Sequence, residues 1–209
     1  MLIPNQASWM VKKIIEARVA ASLLQTVNNG KQLIRQTYLR LLDHTIRVPW
    51  KCYMFRNATR TKAIFTLWLH FQDRLPTRER LLNWGMDIDA GCMFCTAFLE
   101  TRNHMFVECV FSQAVWTRLM QWLQNQNYNA RTWEQHLTWS LTHGKGKSQK
   151  SQIFKLVYTE GVHAIWLKRN QRVFEGQSRS VEQITKDVAF ACNVRVAPRI
   201  SGLLQTYLF

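Results

Sequence analysis

Apolar positions along the chain recur mostly at helical spacing. Trp9, Ile14, Val19 and Leu23 fall about a turn apart and predict a helix from Ser8 to about Gln36, with Ser8 as its N-cap. The polar run "VNNGKQ" breaks that pattern, and "RVPWKC" around Pro49 reads as extended, because the residue before a proline avoids helical backbone. Ile64, Leu67, Trp68 and Phe71 then share one helical face. In "DRLPT", Pro76 stops that element and Thr77 can cap the next. Leu81, Leu82 and Trp84 are expected to pack the inner side of this second helix, which Gly85 ends in left-handed backbone. Farther on, Ser112 is the expected cap of a helix buried through Val115, Trp116, Leu119, Met120 and Leu123. The polar stretch 142–152, "THGKGKSQKSQ", reads as an exposed linker. Ile153, Leu156, Val157, Ile165 and Phe174 predict one long helix with a bend at Gly161. Ser180 and Gln183 form a capping-box pair that opens a last helix through Val181, Ile184 and Val188.

These elements predict a mainly α protein in which a compact loop module sits between helices. Three regions are expected: a basic helical region at 1–60, a central domain at 61–125, and a basic helical region at 126–209 that contains the linker. An apolar content of 47% with 12% aromatic residues is that of a globular chain. The best apolar run, "AIFTLWLHF", is half the roughly 20 residues that a membrane span needs, so no membrane segment is expected. Lys12, Lys13 and Glu16 interrupt the first apolar run too early for a secretory signal.

Charge changes the picture. The net charge is +15, and it is unevenly spread. Residues 1–60 hold ten basic and two acidic side chains, 61–125 hold six of each, and 126–209 hold twelve and five. A neutral middle between two basic flanks attracts polyanions, of which nucleic acid is the first expectation. The location expected for such a protein is nuclear. The alternative is mitochondrial, because the first 42 residues carry six basic residues and one acid.

The neutral middle holds the densest chemistry. Three of the five cysteines and one histidine stand in the pattern C-x2-C-x8-H-x4-C, at Cys92, Cys95, His104 and Cys109. A C-x2-C turn points two thiolates to one side, and a second pair from the following turn can close a tetrahedron around Zn2+. Gly91 suits the tight turn of a zinc knuckle. Four protein ligands would leave no position for an activated water, so the zinc would be structural. Buried free thiols and a redox C-x-x-C pair are the competing readings. Cys52 and Cys192 stand alone and read as small buried hydrophobes. His44, His70, His136, His143 and His163 have no partner at metal spacing.

Around this cluster the chain resembles the zinc-binding region that follows the reverse transcriptase domain in plant non-LTR (LINE-type) retrotransposons. "KAIFTLWLHFQDRLPTRERLLNWG" is similar to that family's tryptophan-rich helix and its "LPT…RL…WG" segment. "CMFCTAFLETRNHMFVECVFSQAVW" follows its order of Cys92, Cys95, Glu100, His104, Phe106, Cys109 and Trp116. "ASWMVKKIIEAR" upstream and "HAIWLKRNQRVF" downstream are similar to its flanking segments. The resemblance covers residues 61–123 most closely. It implies a piece of a retroelement polyprotein whose zinc region helps a polymerase hold its template or target.

The resemblance does not bring an enzyme with it. The chain has no Asp-Asp pair for a polymerase and no Pro-Asp turn for a retroelement nuclease. Its 13 acids are scattered, whereas a ribonuclease H site needs several that converge. No glycine-rich phosphate loop or triad-like set is present, so no catalytic residue is expected. The first functional expectation is a nucleic-acid-binding module for RNA or single-stranded DNA. Its phosphate contacts would come from Lys12, Lys13, Lys145, Lys147, Lys150, Lys168, Arg169 and Arg172. Trp133 and Trp139 are the expected stacking aromatics, and Trp68, Trp84 and Trp116 the expected core tryptophans. The alternatives are an adaptor for a protein partner and a retroelement fragment without a selected role.

Overall fold

The structure is a computed structural model that describes residues 48–55, 57–124 and 128–196, together with Leu204. The expected N-terminal helix and its two phosphate contacts, Lys12 and Lys13, lie outside the described residues. Val48–Phe209 form one compact unit, so the expected boundary near residue 125 falls inside it.

The protein is mainly helical. The helices are α1 (Lys51–Met54), α2 (Thr61–Phe71), α3 (Arg78–Asn83), α4 (Val110–Trp122), α5 (Trp133–Gly144), α6 (Gln149–Glu175) and α7 (Val181–Arg195). A π-helical turn, His104–Glu108, precedes α4. Among the described residues no strand is named, and one isolated antiparallel bridge joins Gly91 to Leu99.

The 27 residues of α6 make a rod about 40 Å long, and α2, α4, α5 and α7 all pack on it. Its middle is buried on every side, from Ile153 through Val162. The core around it is rich in rings. Trp116 stacks on Tyr158 with centroids 5.2 Å apart, and Tyr53 meets the same ring at 5.1 Å. The polar edges of these rings are satisfied: Trp116 Nε1 donates to Phe106 O at 2.8 Å. His136 lies between two hydroxyls, with Tyr158 2.9 Å from Nε2 and Tyr128 3.0 Å from Nδ1. The helix runs unbroken through Gly161, where a bend was expected. Glycine is needed there for close approach, because a β-carbon would stand 3.0 Å from the Trp116 ring.

Several expectations are corrected. The linker at 142–152 shrinks to the four residues Lys145–Ser148, because α5 continues to Gly144 and Ser148 already caps α6. Ser112 is not a cap. Cys109 holds that position, and Ser112 lies buried inside α4 with its hydroxyl donating to Met105 O. No residue of α3 is buried: Leu82 is exposed and Trp84, just past the helix, is 63% exposed. Nothing packs over that face of α3 among the described residues. Gly85 does take the expected left-handed conformation, at φ +85°. Phe174, placed in the long helix's apolar stripe, lies near its end and is exposed. Ser180 caps α7 by accepting from Gln183 N, but the Gln183 side chain turns to Asp187 instead of back to the cap. The reciprocal capping box occurs at Thr132 and Gln135, where α5 begins.

Candidate metal centre

The loop that carries the four candidate ligands, expected from the sequence to be a knuckle, is built from turns, each fixed by a specific hydrogen bond. Cys92 N donates to Phe98 O at 2.7 Å and Glu100 N to Ala90 O at 2.8 Å, which closes residues 90–100 into a narrow loop. Inside it, Thr96 N donates back to Cys92 O at 2.9 Å, and Thr96 takes left-handed backbone at φ +57°. This brings the Cys92 and Cys95 side chains to one side. The π-helical turn supplies the other pair. Cys109 N donates to His104 O at 2.8 Å, a five-residue step that sets Cys109 beside His104 where α4 starts. His104 N is itself held by Thr101 Oγ1 at 2.9 Å.

The four ligand atoms lie within 4.8 Å of one another. The sulfurs of Cys92 and Cys109 are 4.0 Å apart, far beyond a disulfide bond. Cys95 Sγ and His104 Nε2 are 3.2 Å apart. A tetrahedral zinc with Zn–S bonds of about 2.3 Å has edges of roughly 3.6–3.8 Å, and the two distances bracket that value. The contact with Cys109 pushes the Cys92 thiol down and Cys109 up, so one thiolate is favoured before any metal arrives. Phe94 N, 3.4 Å from Cys92 Sγ, adds a donor to that sulfur. Cys92, His104 and Cys109 are buried, and Cys95 is half-buried at the rim. Three thiolates and one imidazole at these separations fit one structural zinc ion.

A buried ion pair braces the knuckle from below. Glu100 is fully buried, Arg169 is 3% exposed, and Arg169 Nη2 lies 2.8 Å from Glu100 Oε1. The same carboxylate oxygen accepts from Arg78 N at 2.9 Å, so Glu100 caps α3. Thr77 occupies the N-cap position as expected, but its side chain makes no capping bond. Arg172, on the next turn of α6, donates to Met93 O at 2.7 Å, inside the C-x2-C turn. Its guanidinium also lies beside the stacked rings of Phe94 and Phe111.

This geometry separates the expected nucleic-acid contacts into two groups. Lys145, Lys147 and Lys150 are exposed on the α5–α6 connection and the first turn of α6. Lys168, Arg169 and Arg172 instead serve the fold. Lys168 is 1% exposed and donates to Gln177 O at 2.8 Å, and the two arginines hold the knuckle. Trp133 and Trp139 are corrected as stacking platforms. Trp133 is 8% exposed with the Arg102 guanidinium 3.8 Å from its ring centre, and Trp139 packs between Tyr128 and Phe154. Trp116 is the expected core residue, while Trp68 is half-buried and stacks on exposed Phe65.

Cys52 is half-buried and Cys192 fully buried, and burial raises both thiols. Neither joins the metal set. His136 and His70, given no role from the sequence, are core residues whose pKa burial lowers. Sequence reasoning missed the structural work of Arg169. A signal was available: Tyr158, Val162, Ile165 and Arg169 follow one another at helical spacing, which places the cation on the buried stripe.

Fold and site together define a mainly helical domain with a Cys3His cluster whose geometry fits one structural zinc ion. Residues 33–116 match the model of the family described as zinc-binding in reverse transcriptase. The match stops at Trp116, so α5, α6 and α7 lie beyond it, although α6 supplies both arginines that brace the knuckle. No curated protein and no solved structure matches the chain. No helix among the described residues is long and apolar enough to cross a membrane.

Proposed function

We propose that the chain is a non-catalytic, retroelement-derived protein that binds RNA or single-stranded DNA through cations outside its zinc knuckle. The observation that carries this reading is the net charge of +15 on a chain whose zinc-binding middle is itself neutral. Arg169 is neutralised inside the fold and Lys168 is buried, yet Lys145, Lys147 and Lys150 remain in solvent. A field of that sign attracts phosphate. The metal centre supports a scaffolding role, since four protein ligands leave the ion no open position for substrate. A nuclear location suits this reading.

The test is a salt titration on the purified full chain loaded with zinc. Affinity for a short single-stranded RNA is expected to fall steeply between about 50 and 200 mM salt. Absence of binding at the low-salt end would remove the reading.

A second reading is favoured by one observation. Leu82, Trp84, Met86, Phe98 and Leu99, all near the knuckle in sequence, are exposed, and Trp and Met are enriched in protein interfaces. An adaptor would use those side chains to hold a protein partner, and that complex would persist at high salt.

A further inference from the structure

Two stretches without a single acidic residue meet in space. From 48 to 72 the chain carries Lys51, Arg56, Arg60 and Lys62 but no Asp or Glu. From 135 to 159 it carries Lys145, Lys147, Lys150 and Lys155, again without an acid. The first stretch contains α1, and the second contains the α5–α6 connection. Tyr53 in α1 ties them together by donating from its hydroxyl to Ser140 O at 2.7 Å, across 87 residues of sequence. At Gly144 a β-carbon would stand 2.6 Å from that hydroxyl, so the close approach excludes any other residue. Cys52, beside Tyr53, senses both Lys155 and Lys145, whose charges oppose the larger effect of its burial.

The result is a one-signed face. Lys51, Lys145, Lys147 and Lys150 are exposed, and none of them joins an ion pair among the described residues. Several cations elsewhere are balanced locally: Arg60 by Glu160, Arg169 by Glu100 and Arg179 by Asp187. Lys62, Arg74, Arg118 and Arg131 are exposed without an ion pair among the described residues, but they lie outside α1 and the α5–α6 connection. The backbone that carries the lysines is fixed. Ser148 Oγ accepts from Ser151 N at 3.1 Å, and Lys147 O accepts from Gln152 Nε2 at 2.9 Å. Charges held on ordered backbone lose less entropy when they bind than charges on a loose tail.

We propose that the face formed by α1 and the α5–α6 connection, carrying Lys51, Lys145, Lys147 and Lys150, binds the phosphate backbone of nucleic acid without reading its bases. This rests on the nucleic-acid reading above and gives it a location. Lysine ammoniums act as point charges and do not supply the planar fork that arginine presents to a guanine edge. Trp133 is buried and Trp139 is half-buried between Tyr128 and Phe154, so neither ring is free to stack on a base.

The experiment compares two triple variants of the zinc-loaded full chain against a fluorescein-labelled single-stranded RNA. One is Lys145→Glu with Lys147→Glu and Lys150→Glu. The control is Arg74→Glu with Arg118→Glu and Arg131→Glu, all exposed residues outside the face. Each substitution removes two units of charge, so both triples take the net charge from +15 to +9. The lysine triple is expected to lose at least about tenfold in affinity at low salt, and its log–log salt slope to shrink by roughly 2–3. The control is expected to retain most of its affinity. Permuting the RNA sequence should change binding by less than about twofold, as backbone contacts predict. Equal losses in the two triples would show bulk attraction and overturn the face. If the unmodified chain fails to bind RNA at all, the underlying functional reading falls instead.

Discussion

The knuckle and the ring-rich core are held by different forces, although they share α6. The core around Trp116 and Tyr158 is ordered by apolar burial. Its rings exclude water, and Trp116, Tyr158 and His136 meet hydrogen-bond partners there, while His70 and Trp139 Nε1 do not. The stretch from Gly91 to Cys109 has one bridge, one π-helical turn and mostly turns besides. Residues 91–101 bury little apolar surface, since Phe98 and Leu99 are exposed, whereas Met105, Phe106 and Val107 in the π-helical turn are fully buried in the core. The loop half is therefore expected to depend on metal coordination and on the Glu100–Arg169 pair. The same helix therefore meets one neighbour through rings and the other through charge.

Removing zinc should give the largest effect and fall on one side of that divide. Structural zinc in small domains supplies apparent binding energy on the order of 10 kcal/mol. Chelation, or Cys109→Ala, is expected to abolish amide protection across residues 90–109 in hydrogen exchange, while α5 and α6 lose protection less. Uniform loss across the whole unit would show that knuckle and core are one cooperative block. Unchanged melting after chelation would show that no metal holds the knuckle.

The Glu100–Arg169 pair comes next. Removing one member strands a buried charge, which typically destabilises by about 3–5 kcal/mol. Glu100→Ala and Arg169→Met should each lower thermal stability by that order, measured by calorimetry with zinc present. The double variant should lose clearly less than the two single losses added. Strict additivity would mean the pair is not coupled, contrary to its 2.8 Å separation.

The same contrast explains what was readable in the sequence. The four ligands lie between positions 92 and 109, so their spacing alone carried the site. The long helices were legible because Leu, Ile and Val mark the buried faces of α2, α4 and α6. Helix α5 was not. Its buried stripe is Trp133, His136, Ser140 and Gly144, so polar and small residues hide the apolar period and left two packed tryptophans looking free. Gly144 read as part of an exposed linker because sequence cannot show that Tyr53 presses on it. Arg169 read as a surface cation because its partner stands 69 positions away.

Acid should test the core more than its packing suggests. Burial holds His136 at a pKa of about 3, against 6.5 when exposed. Below pH 6.5 the unfolded chain takes up a proton that the folded chain refuses, so stability falls as pH drops from about 6.5 toward 3. Between pH 7 and 5 this one group accounts for about 2 kcal/mol. His70, buried with neither ring nitrogen hydrogen-bonded, acts in the same direction. Zinc release also follows acid, so the informative quantity is the difference in slope between the wild type and His136→Gln at saturating zinc. The variant should bind up to one proton fewer on unfolding, and identical slopes would place the imidazole in contact with water.

The smallest expected effect sharpens the comparison most directly, because one residue type stands on both sides of it. Trp116 is fully buried against Gly161 and Tyr158, and truncation of such a ring destabilises by about 3–5 kcal/mol. Trp84 is 63% exposed, and its recorded ring partner is the Arg80 guanidinium at 5.7 Å. An exposed contact of that kind contributes about 0.5–1 kcal/mol at most. Trp84→Ala should therefore shift stability by less than about 1 kcal/mol and leave zinc content unchanged. A loss comparable to that of Trp116→Ala would mean that a segment outside the described residues covers the ring. A small loss in stability accompanied by loss of a protein partner would mark Trp84 as an interface anchor, and the knuckle would then display that anchor through α3 and Glu100.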